Sequence, residues 1–246
     1  MKFLKLLLVR HAHSVGNQQK RMQGHQEFEL TEEGRIQAEK LAHRLVAESW
    51  RPTHVYSSPL KRAAQTAEIV RSRFLAEPLP AVVSDLADEE RETTEGLGDR
   101  PPAAIPLVYA DELKEFQNGI FAGLTWAEAK ERYPELCDRL EHSPDWIPIP
   151  GAETLTEARD RVQQFIERVL AQHSDGDQVL IVSHSWILQH LIAAVLGSDR
   201  SWRIHIRNTA LFEFWLDHTR WFRSDDTRLN TDLWQIRRFN DAHHLQ

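Results

Sequence analysis

Cysteine is almost missing from this sequence of 246 residues. With Cys137 alone, no internal disulfide can form, so packing must hold the fold, and a reducing, cytoplasmic setting is expected. Long apolar runs are lacking too. No stretch reaches the roughly 20 residues that cross a bilayer as a helix, and Leu6 to Val9, after Met1-Lys2-Phe3-Leu4-Lys5, is cut by Arg10-His11 and is too short for the apolar core of a signal peptide. Internal repeats and low-complexity tracts are absent, and no linker composition divides the chain, so one elaborated domain over residues 1–246 is expected. An excess of positive charge is also wanting. Thirty Lys and Arg against 37 Asp and Glu give a formal charge of -7, which argues against nonspecific binding to nucleic acid or anionic membrane. The expected partner is a small molecule, with a second copy of the chain as the protein partner the composition leaves room for.

What is present is an alternation of strand and helix signals. Residues 3–9 read as a buried strand that ends in Arg10-His11, and Val179-Leu180-Ile181-Val182-Ser183 reads as another that ends in His184-Ser185. After a loop over residues 10–28, Thr31 with Glu32 and Glu33 reads as a helix start with Ile36, Leu41 and Leu45 inward. Thr53-His54-Val55-Tyr56-Ser57 reads as a short strand. Ser58-Pro59 then reads as a helix cap with proline at the first helical position, ahead of Leu60, Ala64, Ala67 and Val70. Thr125-Trp126-Ala127-Glu128 and Thr154-Leu155-Thr156-Glu157 both fit a capping box, the second with Leu155, Ala158, Val162, Phe165 and Val169 inward. Residues 88–106 are charged and then rich in Gly and Pro without a period, which predicts a long loop or insertion. Residues 210–239 predict a C-terminal hairpin with a long excursion over 217–231. The eight tryptophans are expected in core and sheet packing, and His243-His244 in a frayed terminus. The alternation predicts a three-layer α/β/α sandwich with a mostly parallel central sheet.

In such a sheet ligands bind beyond the carboxyl ends of the strands. That edge gathers Arg10 and His11 after the first strand, Arg62 in the helix after the second, and His184 after a later one. Two guanidiniums and an imidazole suit a phosphate, with Asn17 and the backbone N–H groups of the helix near Ser185 as further donors. A neutral His11 among anion-binding groups can attack phosphorus and become phosphohistidine. The leaving oxygen then needs a proton from a carboxylic acid, for which Glu115 is the candidate, with Asp111 and Glu112 close by. His11 and His13 would point to opposite sides of an extended segment without a third ligand, so neither a metal nor another cofactor is expected.

The Arg10-His11-Ala12 start, Arg21-Met22-Gln23-Gly24, Leu30-Thr31-Glu32-Glu33-Gly34, Tyr56-Ser57-Ser58-Pro59-Leu60-Lys61-Arg62-Ala63, the stretch from Leu113 to Thr125, and Val182-Ser183-His184 occur in an order that resembles the histidine phosphatase superfamily, in its phosphoglycerate mutase-like branch. The resemblance implies a phosphoglycerate mutase-like fold, with His11 as the phosphorylated nucleophile, Arg10, Arg62 and His184 as the phosphate clamp, Asn17 as an accessory contact and Glu115 as proton donor. It implies a metal-independent phosphomonoesterase acting on a small phosphorylated metabolite. The alternatives are a bisphosphoglycerate-dependent mutase and a weakly catalytic phospholigand sensor. A short interval from Glu115 to His184, and the ending Ile236-Arg237-Arg238-Phe239-Asn240-Asp241-Ala242-His243, resemble the phosphatases more than the mutases. Three departures bear on substrate: Ala12-His13 stands where an acidic residue is common, Ser185 where glycine is frequent, and the interval from Arg62 to Glu115 is long.

Overall fold

The computed structural model describes residues 2–76, 104–221 and 230–246. In chain order the elements are β1 (Leu4–Arg10), α1 (Val15–Gln18), α2 (Glu32–Ala47), β2 (His54–Ser57), α3 (Lys61–Ala76), β3 (Leu107–Tyr109), α4 (Trp126–Arg132), α5 (Pro134–His142), α6 (Leu155–Gln172), β4 (Gln178–Ser183), α7 (Ser185–Val195), β5 (Leu211–Leu216), α8 (His218–Trp221), α9 (Asn230–Leu233) and β6 (Trp234–Asp241). The strands form one sheet in the order β3-β2-β4-β1-β5-β6. β1, β2, β3 and β4 run parallel, while β5 is antiparallel to both β1 and β6.

The central strands are apolar without interruption because both faces of the sheet are covered. Leu4, Leu6 and Leu8 of β1 pack with Val162, Phe165 and Val169 of α6 and Leu188 and Leu191 of α7. Leu7 and Val9 turn the other way, onto Leu41 and Leu45 of α2 and Ala67, Val70 and Phe74 of α3. Each of these is essentially inaccessible to water. At about 25 cal/mol per Å² of apolar surface buried, each large side chain stabilises the sandwich by about 2 kcal/mol. Truncating Leu7 to Ala would cost about 2–5 kcal/mol, since the close-packed interior collapses only in part. Among the described residues no helix is long and apolar enough to cross a membrane.

The capping signals at Thr31, Thr125 and Thr154 hold in detail. Thr31 accepts the Gly34 N–H, and both Thr125-to-Glu128 and Thr154-to-Glu157 close as reciprocal capping boxes. Gly34 has a second reason to be glycine. A Cβ there would lie 1.9 Å from the His13 carbonyl oxygen, so α2 can approach the loop after β1 only without a side chain at this position.

Other expectations are corrected. Ile36 is 46% exposed, because the buried face of α2 runs through Gly34, Ala38, Leu41, Ala42 and Leu45 instead. α3 starts at Lys61, not at Pro59: the Leu60 carbonyl accepts the Ala63 and Ala64 N–H groups, and Ser58 Oγ receives only the Leu60 N–H. The loop after β1 contains α1, which Ser14 caps. The C-terminal end is packed rather than frayed, since His244 hydrogen-bonds Thr209 Oγ1 at 2.8 Å and residues His243–Leu245 form a 3-10 turn. β5 and β6 form the C-terminal hairpin as expected. Of the 88–106 segment, residues 88–103 lie outside the described residues, and residues 104–106 lead into β3.

Candidate active site

β1 and β4 are adjacent and parallel, so their carboxyl ends deliver His11 and His184 side by side, with ring centroids 5.0 Å apart. The loop carrying His11 is fixed through its backbone. His11 N–H donates to the Ser183 carbonyl at 2.9 Å, Ala12 N–H to Thr66 Oγ1 at 3.0 Å, and Asn208 Nδ2 donates to the His11 carbonyl at 2.8 Å. His11 Nδ1 lies 2.7 Å from the Ala12 carbonyl, which can only accept. Nδ1 therefore carries the proton, and Nε2 keeps its lone pair. Burial, then the charges of Arg62 and Arg10, hold the His11 pKa well below the ordinary histidine value. The ring is neutral and held in place at neutral pH.

Arg62 is 1% exposed, and its Nη1 and Nη2 donate to the carbonyls of Gln26 and Gly24, both at 2.9 Å. Gly24 adopts a φ of +47°, which brings that carbonyl around to Arg62, and a side chain there would press on Asn118. Burial pushes the Arg62 pKa down to about 10 against the opposing field of Glu115, which leaves the guanidinium charged at neutral pH. Arg10 Nη1 donates to the Ile206 carbonyl at 2.6 Å, and burial lowers its pKa too. His184 Nε2 is hydrogen-bonded to Ser58 Oγ at 2.8 Å, and that hydroxyl also accepts the Leu60 N–H. Burial, followed by the charges of Arg62, His11 and Arg10, depresses the His184 pKa strongly. Among the described residues, the buried atoms Arg10 Nε, Arg62 Nε and His184 Nδ1 have no hydrogen-bond partner. Buried polar atoms of this kind normally find partners, and an oxyanion suits the two guanidinium N–H groups.

Glu115, Asp111 and Glu112 are separated by their surroundings. Asp111 pairs with Lys114 at the surface, and Glu112 pairs with Arg168 at 2.6 Å. The Arg168 contact holds the Glu112 carboxyl below its usual range. Glu115 lines a cavity of about 400 Å³ with Arg10, His11, Asn17, Arg62 and Ser185. Its carboxylate accepts the Phe116 N–H at 3.0 Å and the Trp186 and Ile187 N–H groups at 3.4 Å. The helix-terminus donors expected for an anion near Ser185 are thus taken at positions 186 and 187 by Glu115. Asn17 Oδ1 is engaged by the Ser14 N–H and hydroxyl, which leaves the Asn17 amide N–H₂ for the cavity.

Sequence reasoning missed several supports. Arg161 of α6 donates to the Lys114 carbonyl at 2.8 Å and the Glu115 carbonyl at 3.3 Å while pairing with Glu153. His25 bonds the same Glu115 carbonyl at 2.7 Å. Neither stands in a local motif, and only the tertiary fold brings them to residue 115. The expectation of purely structural tryptophans is also corrected, since Trp126, Trp146 and Trp186 line the cavity. His13 is turned away from His11, with Nδ1 at 2.9 Å from Thr31 Oγ1. The trio His54, His173 and Asp177 has ligand atoms close enough for a metal, yet it lies at the opposite end of the sheet, and His173 is already hydrogen-bonded to Tyr56 and Asp177.

The arrangement is a cationic pocket lined by the neutral imidazole of His11, the guanidiniums of Arg10 and Arg62 and the carboxyl group of Glu115. The sequence matches the histidine phosphatase superfamily (branch 1) over residues 6–89 and 71–224, and the chain belongs to that family. It is 31% identical over 199 residues to phosphoserine phosphatase 1 of Hydrogenobacter thermophilus, covering 80% of this chain and 79% of that protein. It is 28% identical over 245 residues to phosphoglycerate mutase-like protein 4 of Arabidopsis thaliana, covering 99% of this chain and 88% of that protein. Its fold is similar to the solved structure of Bacillus stearothermophilus YhfR, with a TM-score of 0.71 at 24% identity over 99% of this chain and all of the other.

Proposed function

We propose that this protein is a metal-independent phosphomonoesterase that hydrolyses a small phosphorylated metabolite through phosphohistidine at His11. The observation that carries the reading is the pairing of a neutral His11, its Nε2 lone pair free, with the buried N–H groups of Arg10 Nε and Arg62 Nε, which lack acceptors among the described residues. Arg10, Arg62, Asn17 and His184 hold the phosphoryl oxygens, with Ser185 at the rim, and the two guanidiniums supply the charge that the transferring group needs. His11 Nε2 attacks phosphorus as the bond to the ester oxygen breaks, and Glu115, entering this step as the carboxylic acid, gives that oxygen its proton and becomes the carboxylate. Water then attacks the phosphoryl group, Glu115 takes the water's proton, and the P–N bond breaks. Orthophosphate leaves, and His11 returns to its neutral form. Every residue of this scheme stands in a loop, helix or strand end around one sheet, which supports a single catalytic domain. The cytoplasm is the compartment proposed, as buried, unpaired Cys137 needs no oxidising environment.

The test is phosphate release from phosphorylated sugars, glycerates and amino acids in EDTA, with conversion of 3-phosphoglycerate to 2-phosphoglycerate followed in parallel. Release that EDTA leaves intact is expected. Primer-dependent isomerisation without release would make the protein a mutase, and silence in both assays would make it a phospholigand sensor.

A further inference from the structure

Beside the catalytic cavity lies a larger one, of about 720 Å³, and the two share Arg10, Trp146, Ser185 and Trp186. The larger cavity is lined by α6, α7 and residues 201–206, and its chemistry is one-sided. Arg159 and Arg203 join Arg10 in its wall, and no aspartate or glutamate lines it. Arg159 spends one N–H group on the Asp199 carbonyl, whereas Arg203 has no hydrogen-bond or ion-pair partner among the described residues. Trp202 is 67% exposed and Trp186 43%, which is unusual for the largest apolar side chain. His190 is only 5% exposed. Its Nδ1 lies 2.6 Å from Ser201 Oγ, and its Nε2 is buried without a hydrogen-bond partner among the described residues. A buried polar atom left unpaired costs free energy that one ligand oxygen would recover.

Resting on the phosphomonoesterase reading, we infer that this second cavity receives the alcohol part of the substrate, and that this part is a ring bearing a second oxyanion. The indoles of Trp186 and Trp202 offer flat apolar faces of the kind that cover one side of a ring. Arg159 and Arg203 recognise a carboxylate or phosphate, and His190 Nε2 meets a ring hydroxyl or oxygen. A three-carbon phosphoester would leave these groups untouched. The cavity therefore selects against small substrates by what they fail to satisfy, as sites built for polar partners do.

Four esters separate ring from charge: glycerol 1-phosphate, glucose 1-phosphate, glucuronic acid 1-phosphate and glucose 1,6-bisphosphate. The expected order of kcat/KM places both doubly anionic sugars about tenfold or more above glucose 1-phosphate, with glycerol 1-phosphate lowest. The two doubly anionic sugars differ in carboxylate against phosphate, so whichever leads names the second group. Arg203→Ala should remove that excess through KM, and Trp202→Ala should shrink the preference for glucose 1-phosphate over glycerol 1-phosphate. Calorimetry of the same four compounds on His11→Ala reads the cavity without turnover. The predicted order of binding there, with an inactive wild type, would keep the cavity assignment and sink the phosphatase reading. Turnover with an order blind to ring and charge, or one unchanged by Arg203→Ala, would overturn the cavity assignment and leave the phosphatase reading standing.

Discussion

Glu115 shows how much of the chemistry is settled by the surroundings of one side chain. Three carboxylates fall within five residues, and their spacing in the sequence does not choose among them. Space does: Asp111 is drawn to Lys114, Glu112 to Arg168, and Glu115 into the cavity between both arginines and the start of α7. In its proposed role as proton donor to the leaving oxygen, Glu115 would matter in proportion to that oxygen's basicity. Glu115→Gln should slow alkyl phosphates by about 10²-fold or more and p-nitrophenyl phosphate by less than about tenfold. Equal losses on both would show a damaged binding site instead. His11 gives a second prediction. Because burial and two guanidiniums keep its pKa low, its ring resonances in the free protein should stay flat through the ordinary histidine range near pH 6.5. A titration step there would contradict a neutral His11 ring.

At the level of elements, legibility followed periodicity and capping chemistry. β1 and β4 were readable because strands buried on both faces are apolar throughout, and α4 and α6 because Thr and Glu three apart leave a mark. α1 was missed, as four residues carry no period, and so was β3, whose three residues leave Val108 and Tyr109 exposed at the sheet edge. Four of the site residues, Arg10, His11, Arg62 and His184, were legible because they end apolar strands or open the helix that follows. Arg161 and His25 were not, since their role exists only through contact with the residue 115 backbone. The C-terminal hairpin holds one more feature hidden from sequence. Glu213 of β5, 2% exposed, pairs with Arg238 of β6 at 2.9 Å and accepts the indole N–H groups of Trp50 and Trp215. Arg238→Met should lower stability by about 3 kcal/mol, because it strands a buried carboxylate, and Glu213→Leu in the same chain should restore much of the loss. Urea unfolding of the single and double variants checks this. A silent Arg238→Met would mean that the indoles alone satisfy Glu213.

For the whole molecule, the buried histidines set the pH response. Burial lowers the pKa of His190 and of His244 to about 4, and holds His11 and His184 well below their ordinary value. The folded state thus binds fewer protons than the unfolded chain, whose histidines titrate near 6.5. Stability should be fully present at neutral pH and fall as pH drops from about 6.5 toward 4. Asp241, drawn down to about 2 chiefly by its hydrogen bonds to Arg44, works in a lower window: its contribution is present above its unfolded value near 4 and is lost only toward pH 2. Urea midpoints measured from neutral pH down to about 4.5 should therefore decline steadily, and a flat profile would contradict histidines buried in neutral form.

The most direct test of the account is to trap the covalent intermediate. The protein, in EDTA, is quenched within milliseconds of mixing with a radiolabelled phosphomonoester and digested, and the labelled peptide is sequenced by mass. One acid-labile, base-stable phosphoryl group on His11, absent from His11→Ala and decaying as orthophosphate appears, is the predicted result. Phosphate release without such a group, or a label on any other residue, would contradict the phosphohistidine mechanism.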